Sequence, residues 1–137
     1  MQQALHDDAQ RLIGEADQDI KDAEMLLRHE AYYPLCRLAY LAAEKAMRAV
    51  LLGKGQEFSH QANVAALGQQ VASAEPALGP LISSLGPLGQ FAVLAQTADH
   101  QAPSPAPPLY SREMARRALA LAQRAVTEVK QSFATRP

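Results

Sequence analysis

Tryptophan is absent, and all aromatic residues together make up 5% of the 137 positions. Valine, isoleucine and threonine are also sparse, while alanine and leucine abound. A chain so composed is a poor strand former and a good helix former. There is one cysteine, Cys36, which excludes an internal disulfide and a multi-cysteine metal site. Neither sign of charge dominates, since 13 basic and 14 acidic residues leave a formal net charge of −1. No global attraction to nucleic acid or to an anionic membrane follows from that balance. No apolar run reaches the roughly 20 residues needed to span a bilayer, and the polar, acidic start does not read as a secretory signal. A soluble, cytoplasmic protein with no membrane association is expected. Gly53-Lys54-Gly55 has neither the spacing nor the following helix of a phosphate loop, and no Gly-x-Ser-x-Gly elbow occurs. His6, His29, His60 and His100 form no i, i+4 pair, so neither a metal nor a cofactor is expected.

What is present is helical periodicity. The stretch from Pro34 to Leu52 has no glycine, and a first helical turn tolerates its proline. At about 100° per residue, Leu35, Leu38, Ala39, Ala42, Ala46, Ala49 and Val50 share one face, widened by Cys36, Tyr40, Ala43, Met47 and Leu51. Leu41 and Leu52 lie almost opposite. Only Arg37, Glu44 and Arg48 form a polar stripe, with Lys45 nearby. A helix apolar nearly all round is a buried one, so this is expected to be the central helix. Cys36, on its apolar side with no flanking cation, is expected to be an inert buried thiol.

Residues 4 to 29 read as an amphipathic helix carrying seven of the 14 acids on its outer face. Tyr33, which precedes Pro34, is expected to be extended. Gly53 is expected to close the central helix in a left-handed cap. A short helix over 62–74 follows, with Ser59 as its expected N-terminal cap. Further helices are expected over 80–85, about 87–99, and 110–133, the last capped by Ser111. Pro103, Pro105, Pro107 and Pro108 make an extended connection before it. The whole chain, 1–137, is read as a single all-α domain, an up-and-down antiparallel bundle of about five helices.

Two charged surfaces invite a functional reading. The last helix carries Arg112, Arg116, Arg117, Arg124 and Lys130. These could contact phosphate, or could simply pair on the helix surface, with Glu113 four before Arg117 and Glu128 four after Arg124. On the central helix, Arg37, Leu41, Glu44, Arg48 and Leu52 mix charge with exposed leucine. That mixture suggests a subunit interface ahead of a ligand groove, with Glu44 and Arg48 as a favoured intrahelical pair.

Tyr32-Tyr33-Pro34 followed by Ala42-Ala43-Glu44-Lys45-Ala46-Met47-Arg48-Ala49 resembles the signature of the HEPN domain (higher eukaryotes and prokaryotes nucleotide-binding). Tyr110-Ser111-Arg112-Glu113-Met114-Ala115 resembles the start of that family's last helix, and Ser59-His60 fits its loop-to-helix junction. The resemblance covers roughly residues 15 to 133. It implies a helical bundle, a homodimer, binding of nucleotide or RNA, and pairing with a small nucleotidyltransferase in a toxin–antitoxin arrangement. Family nucleases carry an Arg followed within a few residues by a His. Here Arg28 directly precedes His29, Arg48 lies well before His60, and no Arg stands shortly before His100. Asp99-His100-Gln101-Ala102-Pro103 replaces the family's usual Arg-Tyr-Pro-Asp-like stretch. The expectation is therefore a non-catalytic interaction or nucleotide-binding subunit. The alternative is a divergent ribonuclease toxin built on Asp99, His100 and Arg112. Ligand or phosphate contacts, if present, are assigned to His60, Asp99, His100, Arg112 and Arg116.

Overall fold

The computed structural model describes residues 2–91 and 110–134. Three long helices form its frame: α1 (Gln2–Arg28), α2 (Tyr32–Gly53) and α6 (Arg112–Ala134). Between α2 and α6 come α3 (Val64–Ala74), a 3₁₀ turn (Pro76–Leu78), α4 (Gly79–Ser84) and helical residues 86–91, which belong to α5. No strand occurs among the described residues, and the architecture is the all-α bundle expected from composition.

α2 packs against α1, α3 and α6. It contributes Leu35, Cys36, Ala39, Ala42, Ala43, Ala46, Met47, Ala49, Val50 and Leu51 to the core. The alanines leave room for neighbouring backbones to come close, so one helix can touch three. On α1 the core residues are Ala9, Ile13, Ala16 and Ala23; on α6 they include Ala115, Ala118, Ala122, Val126 and Val129. α3 approaches α4 through Gly68, where a Cβ would lie 2.9 Å from Cγ2 of Ile82. A glycine there permits a contact that any side chain would have to displace.

Several local expectations are corrected. α2 begins at Tyr32, so Tyr33 is helical and not extended. Pro34 falls in the first turn, where its missing N–H would have had no partner. The turn before it is made by Glu30 with φ 59°. Gly53 is still helical, Lys54 follows with φ −93°, and the left-handed residue is Gly55, φ 69°. The chain closes there through Gln56 N–H donating to the Leu51 carbonyl at 2.9 Å. α3 starts at Val64, and its cap is Asn63, whose side-chain oxygen accepts from Ala66 N–H at 2.8 Å. Ser59 instead accepts from Gln61 N–H at 3.1 Å within the loop. Asn and Ser cap comparably well, so the loop's path selects between them.

Candidate functional site

Arg37, Leu41, Glu44, Arg48 and Leu52 fall within about 80° of one another on α2 at about 100° per residue, opposite its core face. Arg37 is exposed and the other four are half-buried. Glu44 accepts from Arg48 Nη1 at 2.8 Å. Arg48 Nη2 donates to the His60 carbonyl at 3.0 Å. The guanidinium carbon also lies 6.0 Å from the Phe58 ring centroid, within cation–π range. The imidazole of His60 meets Phe58 edge to face at 6.1 Å. Tyr40 Oη accepts from Val64 N–H at 3.0 Å, and Gln70 donates to the Glu57 carbonyl at 3.1 Å. The loop between α2 and α3 is thus tied down along its length.

This arrangement uses the charge of Arg48 internally. A guanidinium held by a carboxylate, a carbonyl and an aromatic face is a poor partner for a substrate phosphate, because Glu44 would repel the incoming anion. Lys45 is likewise engaged, 2.8 Å from Asp19 and 3.9 Å from Glu15 on α1. Among the described residues, no group of three or more His, Cys, Asp or Glu could hold a metal. Cys36 is fully buried, and desolvation pushes its thiol up to about 11, which removes its nucleophilic form at neutral pH.

The other predicted site residues do not join this cluster. Arg112 and Arg116 are exposed on α6. Asp99 and His100 lie outside the described residues. His60 reaches Arg48 through its backbone oxygen. Arg124 pairs with Glu128 at 2.5 Å as its spacing predicts. The matching Glu113–Arg117 pair does not form among the described residues; Glu113 stands free in the first turn, where a carboxylate already gains from the helix dipole. An open cleft of about 500 Å³ lies along α1 and α6, lined by His6, Gln10, Ile13, Asp17, Lys130 and Phe133. Sequence reasoning missed it because its walls come from opposite ends of the chain.

At the base of the 92–109 segment, Tyr110 Oη donates to the Phe91 carbonyl at 3.0 Å. Its ring packs edge to face on Tyr33 at 5.5 Å. The tyrosine-rich turn and the start of α6 therefore meet in space.

These features define a small all-α bundle built around one alanine-rich helix. The HEPN domain model matches residues 9–132, and the chain belongs to the HEPN domain family. Among solved structures it is similar to the crystal structure of TT1696 from Thermus thermophilus, at 24% identity over 90% of this chain and 96% of that one, with a TM-score of 0.75. That likeness is one of fold. No curated protein matches the chain. No helix among the described residues is long and apolar enough to cross a membrane.

Proposed function

We propose that this chain works by association and not by catalysis. Two copies pair about a two-fold axis through the outward stripe of α2, with Leu41 and Leu52 as apolar contacts and Arg37, Glu44 and Arg48 as the polar frame. The dimer serves as the HEPN partner of a small nucleotidyltransferase in a toxin–antitoxin system, as the family resemblance implies. The observation that carries this reading is the locked Glu44–Arg48–His60 cluster. It engages the arginine that the α2–α3 loop brings against His60, and leaves a pre-ordered surface flanked by leucine. A two-fold interface needs such self-complementarity, and an internally paired Glu–Arg brings no net charge to repel its copy.

The test of the non-catalytic half uses single-stranded and transfer RNA, incubated with the parent and with His100→Ala. No cleavage by either is expected. Cleavage by the parent that the variant loses would instead establish the divergent nuclease, since that chemistry needs a proton-moving His. The pairing is tested by gene neighbourhood: absence of an adjacent nucleotidyltransferase across related genomes counts against it.

A further inference from the structure

The outer side of the α1–α6 seam has a different character. Glu24 accepts from Gln123 at 3.4 Å, and Asp17 pairs with Lys130. Each step of seven residues along α1 is thus matched by seven in the reverse direction on α6. Extended past these two pairs, the same antiparallel register directs Arg116 toward the C-terminal turn of α1, which carries Arg28. Arg112 lies one turn beyond, and Arg117 beside Arg116. All four arginines are exposed, and none has an ion pair or hydrogen bond among the described residues. Next to Arg28, one turn back, is Met25, 55% exposed, the most exposed large apolar side chain among the described residues.

Helix electrostatics favours Arg28, in the last turn of α1, but disfavours the arginines at the start of α6. Arg112 and Arg116 are like charges at i, i+4. Arg112 also stands in the first turn of the 23-residue α6, at the positive end of its dipole. Several cations elsewhere among the described residues are paired: Arg48 with Glu44, Lys45 with Asp19, Lys54 with Glu75, Lys130 with Asp17. At this end Glu113, in the same first turn of α6, offsets part of the cost, yet it forms an ion pair with none of the arginines among the described residues.

We propose that Arg28, Arg112, Arg116 and Arg117, with Met25 at their edge, dock an acidic, leucine-bearing segment of a partner protein. This rests on the reading of the chain as an associating subunit, and it uses a surface other than the α2 stripe. α2 packs under both α1 and α6, so the outer α1–α6 seam faces away from it. A protein partner fits better than a nucleic acid for two reasons. Single-stranded nucleic acid is held by exposed aromatic platforms, whereas Tyr33 and Tyr110 are turned against each other here. A long phosphate backbone would also run from the patch onto the acids of α1, whereas a short acidic segment with an apolar side chain meets arginine and methionine together. Arginine and methionine are both enriched at protein interfaces.

The test is fluorescence anisotropy at low salt, with two labelled probes. One is a helical peptide bearing Glu along one face and Leu at its edge; the other is a single-stranded RNA of similar length. The parent should bind the peptide more tightly than the RNA. Arg112→Glu/Arg116→Glu should weaken peptide binding on the order of tenfold or more, and Met25→Ala should weaken it less. The double variant should fold, since both sites are exposed and glutamate suits the start of a helix. It should sediment as the parent does, which separates failure of this proposal from failure of the α2 dimer. Tighter RNA than peptide binding, no peptide binding by the parent, or peptide binding untouched by the double variant would each overturn the proposal.

Discussion

Arg48 on α2 is held by Glu44, by the His60 carbonyl and by the face of Phe58. Arg116 on α6 is exposed and meets none of these kinds of partner among the described residues. Both residues lie on long helices of the same bundle, and both have a glutamate within a turn. The difference is the third element. A loop between α2 and α3 folds back over Arg48, whereas the outer seam of α1 and α6 has no layer above it among the described residues. A charge next to packed structure is desolvated enough to favour close partnering; a charge on an open seam gains little from an intrahelical partner and keeps its full strength for an outside one.

Breaking the first side of this comparison should have the largest effect on stability. Arg48→Met leaves Glu44 partly buried and the His60 carbonyl without its donor, and should cost about 2 kcal/mol. Urea denaturation gives that loss directly, with an unchanged m-value if the fold persists. A loss under about 0.5 kcal/mol would mean that the cluster contributes nothing a surface pair would not. Asn63→Ala removes the cap that starts α3 and ends the tied-down loop. It should cost about 1 kcal/mol, while Ser59→Ala should cost less, because Ser59 caps no helix. The reverse order would restore the cap expected from sequence alone.

The second side predicts the smallest effect. Arg116→Ala should stay within about 0.5 kcal/mol of the parent. Arg112→Glu should be neutral or stabilising by a few tenths of a kcal/mol, since it exchanges an unfavourable charge at the start of α6 for a favourable one. Destabilisation by either beyond about 1 kcal/mol would show that these arginines have structural partners after all.

The sequence made the frame legible because its signals are local. The alanine-rich run from Leu35 to Val50 predicts a buried helix by periodicity, and Glu44–Arg48 and Arg124–Glu128 follow from i, i+4 spacing. Cys36 is buried for the same reason. The site was less legible because its geometry is set by what lies between helices. Arg48 reaches His60, 12 residues on, only because Gly55 turns left-handed and Asn63, not Ser59, opens α3. Nothing in the spacing of Arg48 and His60 announces a contact through a backbone oxygen. The pairing of Arg117 with Glu113 failed because spacing permits an ion pair without requiring it, and an exposed pair gains too little to be enforced. The proposed patch of Arg28 with Arg116 rests on the α1–α6 register, which joins residues from opposite ends of the chain.

In the proposed dimer the α2 stripe holds two copies together. Sedimentation equilibrium at micromolar concentration tests it, on the parent and on Leu41→Glu. The parent should sediment at twice the 14.8 kDa chain mass. Leu41→Glu, which sets a charge among the apolar contacts, should sediment as the single chain with its helical circular-dichroism spectrum intact. A parent of 14.8 kDa, or a Leu41→Glu variant that stays paired, would contradict the account.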